Sequence, residues 1–170
     1  MSIAFRIALL CLLWGYSVIT ATAATPAPDS LQWHTLEAGI RQAEETDTKI
    51  LLAVHTDWCT YCRAMEEVTY ADSAVITFIN QHFILIRLNP ETGETAQVGA
   101  RQVTARGLAQ SLDIRSYPTT IFLNPDLSAI AGHPGFVDAA MFLKIMLYVD
   151  ADLVGVQEFS EYLEVETTDN

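Results

Sequence analysis

The chain has 170 residues, 51% of them hydrophobic, and sets 21 acidic side chains against 9 basic ones for a net charge of −12. That length suits one domain with a sizeable core and is too short for two comfortable ones. The acidic balance argues against nucleic acid and against an anionic membrane surface as partners, and reads otherwise as a solvated surface.

The first 23 residues have the form of a secretory signal, with Arg6 as the only n-region charge and an apolar stretch from Ile7 to Val18. Ala21-Thr22-Ala23 supplies a small-x-small cleavage site, which makes Ala24 the expected new N-terminus. An uncleaved anchor is the alternative, but the run is shorter than the about 20 residues that span a bilayer. No second long apolar stretch follows, so no stable membrane insertion is expected after cleavage, and the location should be periplasmic or otherwise exported. The signal carries one Arg and no acid, so the mature chain should be at −13. Cys11 leaves with it, and only Cys59 and Cys62 reach the exported protein.

Residues 24–30, rich in Pro, Ala and Thr, read as a linker, 31–165 as the folded domain and 166–170 as an acidic tail that frays from about Leu163. Trp33, Leu36, Ile40 and Ala43 recur at helical spacing and predict a first helix from Leu31 to Glu45. Lys49 to Val54 is a short apolar run of the kind buried in a parallel sheet. A second helix should begin at Cys59 and continue past Met65 and Val68. Asp72-Ser73 has the form of a start signal for a helix over Ala74 to Asn80. Phe83 to Leu88 is another buried strand. Asn89 to Thr104 is polar with little periodicity and is expected to be an excursion. A short helix over Ala105 to Leu112, a strand from Thr119 to Leu123, a turn at Asn124-Pro125-Asp126 and an antiparallel return over Leu127 to Ala131 follow. Gly132 to Gly135 reads as a break. Phe142, Ile145, Met146 and Val149 form a helical stripe, and Val156, Phe159 and Tyr162-Leu163 suggest a last helix. With right-handed crossovers this order makes an α/β sandwich, with helices on both faces of a mixed sheet.

Cys59-Thr60-Tyr61-Cys62, where a strand gives way to a helix, has the form of a dithiol/disulfide redox centre. Thiol–disulfide exchange needs a thiolate nucleophile and a second thiol able to reach the mixed disulfide. At a helix start Cys59 faces free backbone N–H groups and the positive end of the helix dipole, which favour its thiolate. Cys62, one turn on, shares its face and should be the less exposed of the two. A structural disulfide is a weaker reading, because so short a loop stabilises by only about 2 kcal/mol. A zinc site wants four ligands, and His34, His55, His82 and His133 are scattered without ligand spacing, so no metal is expected. Pro118, in Ser116-Tyr117-Pro118-Thr119, opens a core strand although it cannot donate to the ladder. In isolation an ordinary trans proline has the better prior there.

The Cys-x-x-Cys after the first core strand, Tyr117-Pro118-Thr119 before the third, and Gly135-Phe136-Val137-Asp138-Ala139 together resemble the thioredoxin superfamily over Trp33 to Val149. The resemblance implies a thioredoxin fold: a central mixed four-stranded sheet with helices on both faces, plus extra N-terminal and C-terminal helices. It implies Cys59 as nucleophile, Cys62 as resolving thiol, a cis Pro118 beside them, and a Tyr117 backbone that pairs with an extended substrate. Asp57 to Glu66 is most similar to the C-terminal domain of the membrane thiol:disulfide interchange protein and to thioredoxin-related proteins of sulfur-oxidation systems. The chain departs from cytosolic thioredoxins in Thr60-Tyr61 between the cysteines and in Ala53, where those proteins carry a buried Asp. Glu66, four residues after Cys62 and so on its face, is a candidate to handle the proton instead. The plainer reading, and the favoured one, is a surface Glu paired with Arg63 at i,i+3. Trp58 and Tyr61 are candidate substrate contacts, although Trp33 and Trp58 also read as packing residues, and Tyr61 and Met65 could be either rim or packing. Asp57 is a cap or a surface charge, and His55 has no assigned role.

The expected function is an exported thiol:disulfide oxidoreductase that reduces oxidised cysteines of periplasmic proteins. It needs no cofactor and is recharged by a membrane thiol transporter, a donor the resemblance alone implies. A disulfide-introducing oxidant is the rival enzyme, and a non-catalytic docking or metal-delivery module is the rival from another class. Thr60-Tyr61 offers no His or Lys to hold a thiolate, and the surrounding charge is acidic. Both favour the disulfide form and predict a potential below about −200 mV.

Overall fold

The computed structural model describes residues 30–168; the signal sequence, most of the linker and Cys11 lie outside the described residues. The chain runs β1 (Trp33–His34), α1 (Leu36–Thr46), β2 (Ile50–Val54), α2 (Thr60–Val68), α3 (Ser73–His82), β3 (Ile84–Leu88), β4 (Thr95–Val98), β5 (Arg101–Thr104), α4 (Ala105–Ser111), β6 (Thr119–Leu123), β7 (Ala129–Pro134), α5 (Ala139–Asp150) and α6 (Phe159–Thr168).

Every residue of β2 and of β6 is buried, as expected of apolar runs covered on both faces. β2 pairs parallel with β3 and antiparallel with β6, so the two β runs read from sequence form the mixed centre of the sheet. The spatial order is β1-β3-β2-β6-β7. Leu36, Ile40 and Ala43 of α1 and Ala105, Leu108 and Ala109 of α4 close one face over Ile50, Leu52 and Ile86. Met65, Val75, Ile79, Phe142 and Met146, from α2, α3 and α5, close the other over Leu51, Leu85 and Phe122. The α/β thioredoxin architecture with helices on both faces is therefore present.

Four local expectations change. Trp33 belongs to a strand, not to the first helix, because Thr35 caps α1 by accepting the Ala38 N–H. Trp33 and His34 then pair parallel with Leu85 and Ile86, and the sheet gains a fifth strand. The excursion after Asn89 contains a separate two-stranded ribbon, β4–β5, whose turn holds Gly99 at positive φ. Only Ala96 of that ribbon is buried, so its alternation is too weak to read. The strand β7 runs through the supposed break as far as Pro134. A Cβ on Gly132 would stand 2.8 Å from the Ile121 side chain, so this glycine permits close packing rather than ending the strand. Gly135, at φ +92, makes the exit turn and donates its N–H to the Pro118 carbonyl at 2.7 Å. The last helix starts at Phe159, leaving Val156 exposed in the preceding turn, and extends to Thr168 beyond the expected fraying point.

Candidate active site

The end of β2 delivers the chain through Thr56, whose carbonyl accepts the Cys59 N–H at 3.2 Å, straight into the start of α2. Cys59 is the N-cap residue, and its Sγ accepts the Cys62 N–H at 3.1 Å. One orphan N–H of the helix end is thus satisfied by sulfur, and the dipole end faces the same atom. Cys59 and Cys62 form a disulfide, with Cα atoms 5.3 Å apart. Burial does not separate the two: they are 4% and 5% exposed. The expected difference in exposure is absent, and their asymmetry comes from the helix position of Cys59.

The Tyr117–Pro118 peptide bond is cis, so the trans prior for an isolated X-Pro does not apply. Pro118 joins Cys62 as part of the wall of a small cavity of about 20 Å³, shared with Ala53, Met65, Glu66, Tyr70, Arg87 and His55. That is room for about one water molecule.

Glu66 lies on the Cys62 side, as its spacing predicts, but its partner is not Arg63. Its Oε1 is 2.9 Å from Nη2 of Arg87, which reaches it from β3. Arg63 instead donates to the Asp57 carbonyl and the Thr60 hydroxyl, both at 3.3 Å. The Arg87 guanidinium also lies 4.3 Å from the Trp33 ring centroid, a cation–π contact. Trp33 in turn meets Tyr70 edge-on at 5.4 Å. Burial pushes the Tyr70 phenol up to about 12, so it stays protonated at any working pH. His55 lies below its ordinary value, first because burial disfavours the imidazolium and second because Arg87 repels it.

The rim is aromatic. Trp58 is 64% exposed and Tyr61 68%, so Trp58 is not a buried packing residue. Its indole N–H donates to both carboxylate oxygens of Glu91, at 3.1 and 3.2 Å. Its ring meets Tyr117 edge-on, with centroids 5.9 Å apart. The segments carrying the cysteines, the cis proline and the β3–β4 loop are thereby joined. Phe136, 40% exposed, follows the Gly135 turn that hydrogen-bonds to Pro118. Met65 is buried in the core and not on the rim. Asp57 neither caps nor stands free: its Oδ1 accepts from Asn89 Nδ2 at 3.1 Å.

Sequence reasoning passed over His55, Arg87, Tyr70 and Glu91. The available signal was Arg87, a lone charge in the apolar run of β3, which demands a counterion. Among the described residues no group of three or more His, Cys, Asp or Glu side chains is placed to hold a metal ion, and no helix is long and apolar enough to cross a membrane.

Residues 36–150 match the model of the thioredoxin-like domain family. The thiol:disulfide interchange protein DsbD of Pectobacterium atrosepticum is 26% identical over 95 residues, 55% of this chain and 15% of that protein. DsbD of Yersinia pestis is 27% identical over 111 residues, 64% of this chain and 17% of that protein. The chain therefore spans about a sixth of the length of these curated relatives. A thioredoxin-fold protein from Helicobacter pylori superposes with a TM-score of 0.63 at 18% identity, over 74% of this chain and 88% of that one. A Thermus thermophilus thioredoxin superposes at 0.60 and 22% identity, over 71% and 87%. With its Cys-x-x-Cys disulfide at the start of α2, beside the cis proline, the chain belongs to the thioredoxin-like family and is a thiol:disulfide oxidoreductase.

Proposed function

We propose that this protein is an exported reductant of disulfides in periplasmic proteins, with Cys59 as the attacking thiolate and Cys62 as the resolving thiol. The observation that carries the assignment of Cys59 as the nucleophile is its position as N-cap of α2, its sulfur already accepting a backbone N–H. A thiolate at that atom is stabilised by the same bond and by the helix dipole. The Cys59 thiolate attacks a substrate disulfide, forming a mixed disulfide and releasing one substrate thiolate. Cys62 then attacks Cys59, restoring the internal disulfide and releasing the second substrate sulfur. Trp58 and Tyr61 offer the exposed apolar area on which a partner docks, and the Tyr117 backbone, beside the cis Pro118, pairs with an extended substrate segment. Glu66, the acceptor its spacing suggested for the Cys62 proton, shares the cavity wall with Cys62 but is held through Oε1 by Arg87. The oxidised protein is recharged by a membrane thiol transporter. The family relationship supports this donor, since the curated relatives are named thiol:disulfide interchange proteins.

The test is trapping. Cys62→Ser should accumulate long-lived mixed disulfides with exported proteins, and Cys59→Ser should lose insulin reduction altogether. Alkylation of the reduced protein near neutral pH should label Cys59 well before Cys62, and the reverse order would exchange the two roles. Recovery of the protein only in the cytosol, or at its full-length mass, would overturn the export reading.

A further inference from the structure

The proton of Cys62 has few places to go. Ala53 leaves no carboxylate on β2 beneath the cysteines, and the cavity beside Cys62 holds four polar side chains besides the thiol and Thr119: His55, Glu66, Tyr70 and Arg87. Arg87 is a permanent cation and cannot accept a proton. Tyr70 already holds its own at neutral pH, being pushed up to about 12 by burial. Glu66 is engaged through Oε1 by Arg87. That leaves His55 as the acceptor with no ion pair of its own in the cavity.

His55 also stands in the wall of a second space. An open groove of about 370 Å³ runs on its other side, lined by His34, Asp57, Asn89 and Glu94. Trp33, His55 and Arg87 separate the two spaces. Trp33 offers no acceptor nitrogen and Arg87 no free lone pair. Glu66 from α2 and Asp57 from its own loop favour the imidazolium, while Arg87 from β3 opposes it; His34 and Glu94 line the same open groove. Burial and Arg87 prevail, so the ring is neutral and holds a free lone pair at neutral pH.

We propose that His55 is the proton relay of this site, taking the Cys62 proton through the shared cavity during resolution and releasing it into the open groove. The proposal rests on the dithiol mechanism above and adds a second titrating group to it. The S–H proton of Cys62 passes to the imidazole, directly or through one water. The thiolate so formed attacks Cys59, the Cys59–Cys62 bond forms, and the bond from Cys59 to the substrate sulfur breaks. The electron pair leaves on that substrate sulfur. The protein dithiol is oxidised and the substrate disulfide reduced, and the imidazolium returns its proton to solvent.

The reduced full-length mature protein is mixed with a chromogenic aryl disulfide in a stopped-flow cell. Attack by Cys59 appears as a concentration-dependent release of the first aryl thiol. Resolution appears as a second, concentration-independent release. In the wild type the second phase should level off above about pH 6.5, where His55 is neutral. His55→Gln should leave the first phase unchanged, slow the second at least about tenfold, and keep it climbing with pH through pH 8. His55→Gly should recover the second phase when imidazole is added, since the open groove admits it. A His55→Gln second phase with the wild-type rate and profile overturns the proposal. So does a wild-type second phase that climbs through pH 8 without levelling, a result that needs no variant to fold. Absence of the first phase in the wild type would overturn the dithiol mechanism itself.

Discussion

The strand β2 has a helix terminus at each of its ends, and the two are finished differently. Before its first residue, Lys49 sends its ammonium to the last turn of α5, donating to the Val149 and Asp150 carbonyls at 3.1 and 3.2 Å and to Asp152 Oδ1 at 2.6 Å. All three donors of that cation are used, on two carbonyls at the helix end and one carboxylate just beyond it. Beyond its last residue, the start of α2 is capped by a sulfur that must leave its bond partner at every turnover. There the Thr56 hydroxyl is buried with no hydrogen-bond partner, and Trp58 and Tyr61 face solvent. One end of the strand maximises stability. The other keeps exposed rings and an unpaired hydroxyl beside the cysteine pair.

The sharpest way to break this comparison is to remove the rings. Trp58→Ala with Tyr61→Ala should lower kcat/KM for a protein disulfide about 100-fold, or about 3 kcal/mol if each ring carries half. Reduction of a small aryl disulfide should change little, and a stopped-flow comparison of the two substrates checks it. At the other end, Lys49→Met removes three charge-assisted hydrogen bonds from the end of α5 and should cost about 2 kcal/mol in urea unfolding while leaving aryl-disulfide reduction intact. Thr56→Val should do the opposite of Lys49→Met. It removes a buried unpaired hydroxyl without changing shape, and should raise stability by about 1 kcal/mol.

The smallest expected effect is the pH slope. His55 and His133 both lie below their ordinary value, His133 through burial alone. The unfolded chain then binds more protons than the folded one as pH falls below about 6.5, so stability present above that pH is lost on acidification. Denaturant midpoints at pH 7.5 and 5.5 measure it, and His133→Gln should flatten part of the slope without touching redox chemistry.

The legible parts of the fold were those in which one segment decides its own state. β2 and β6 are runs buried on both faces, and Asp72 caps α3 through the bonds to Ala74 and Val75 that its position announces. β1 was illegible because two residues at its edge take their state from β3, some fifty positions away. At the site, the spacing that put Glu66 beside Cys62 was readable within one helix. Its ion pair with Arg87 was not, because that partner arrives on another strand. Trp58 shows the same limit, since an indole beside a motif carries no mark of whether it is covered or bare.

The central claim is that the Cys59–Cys62 couple donates electrons. Equilibration of the purified mature protein against a glutathione buffer, read by thiol alkylation and mass, tests it most directly. A potential below about −200 mV is the predicted result; a value above about −150 mV would make the chain a donor of disulfides and contradict the account.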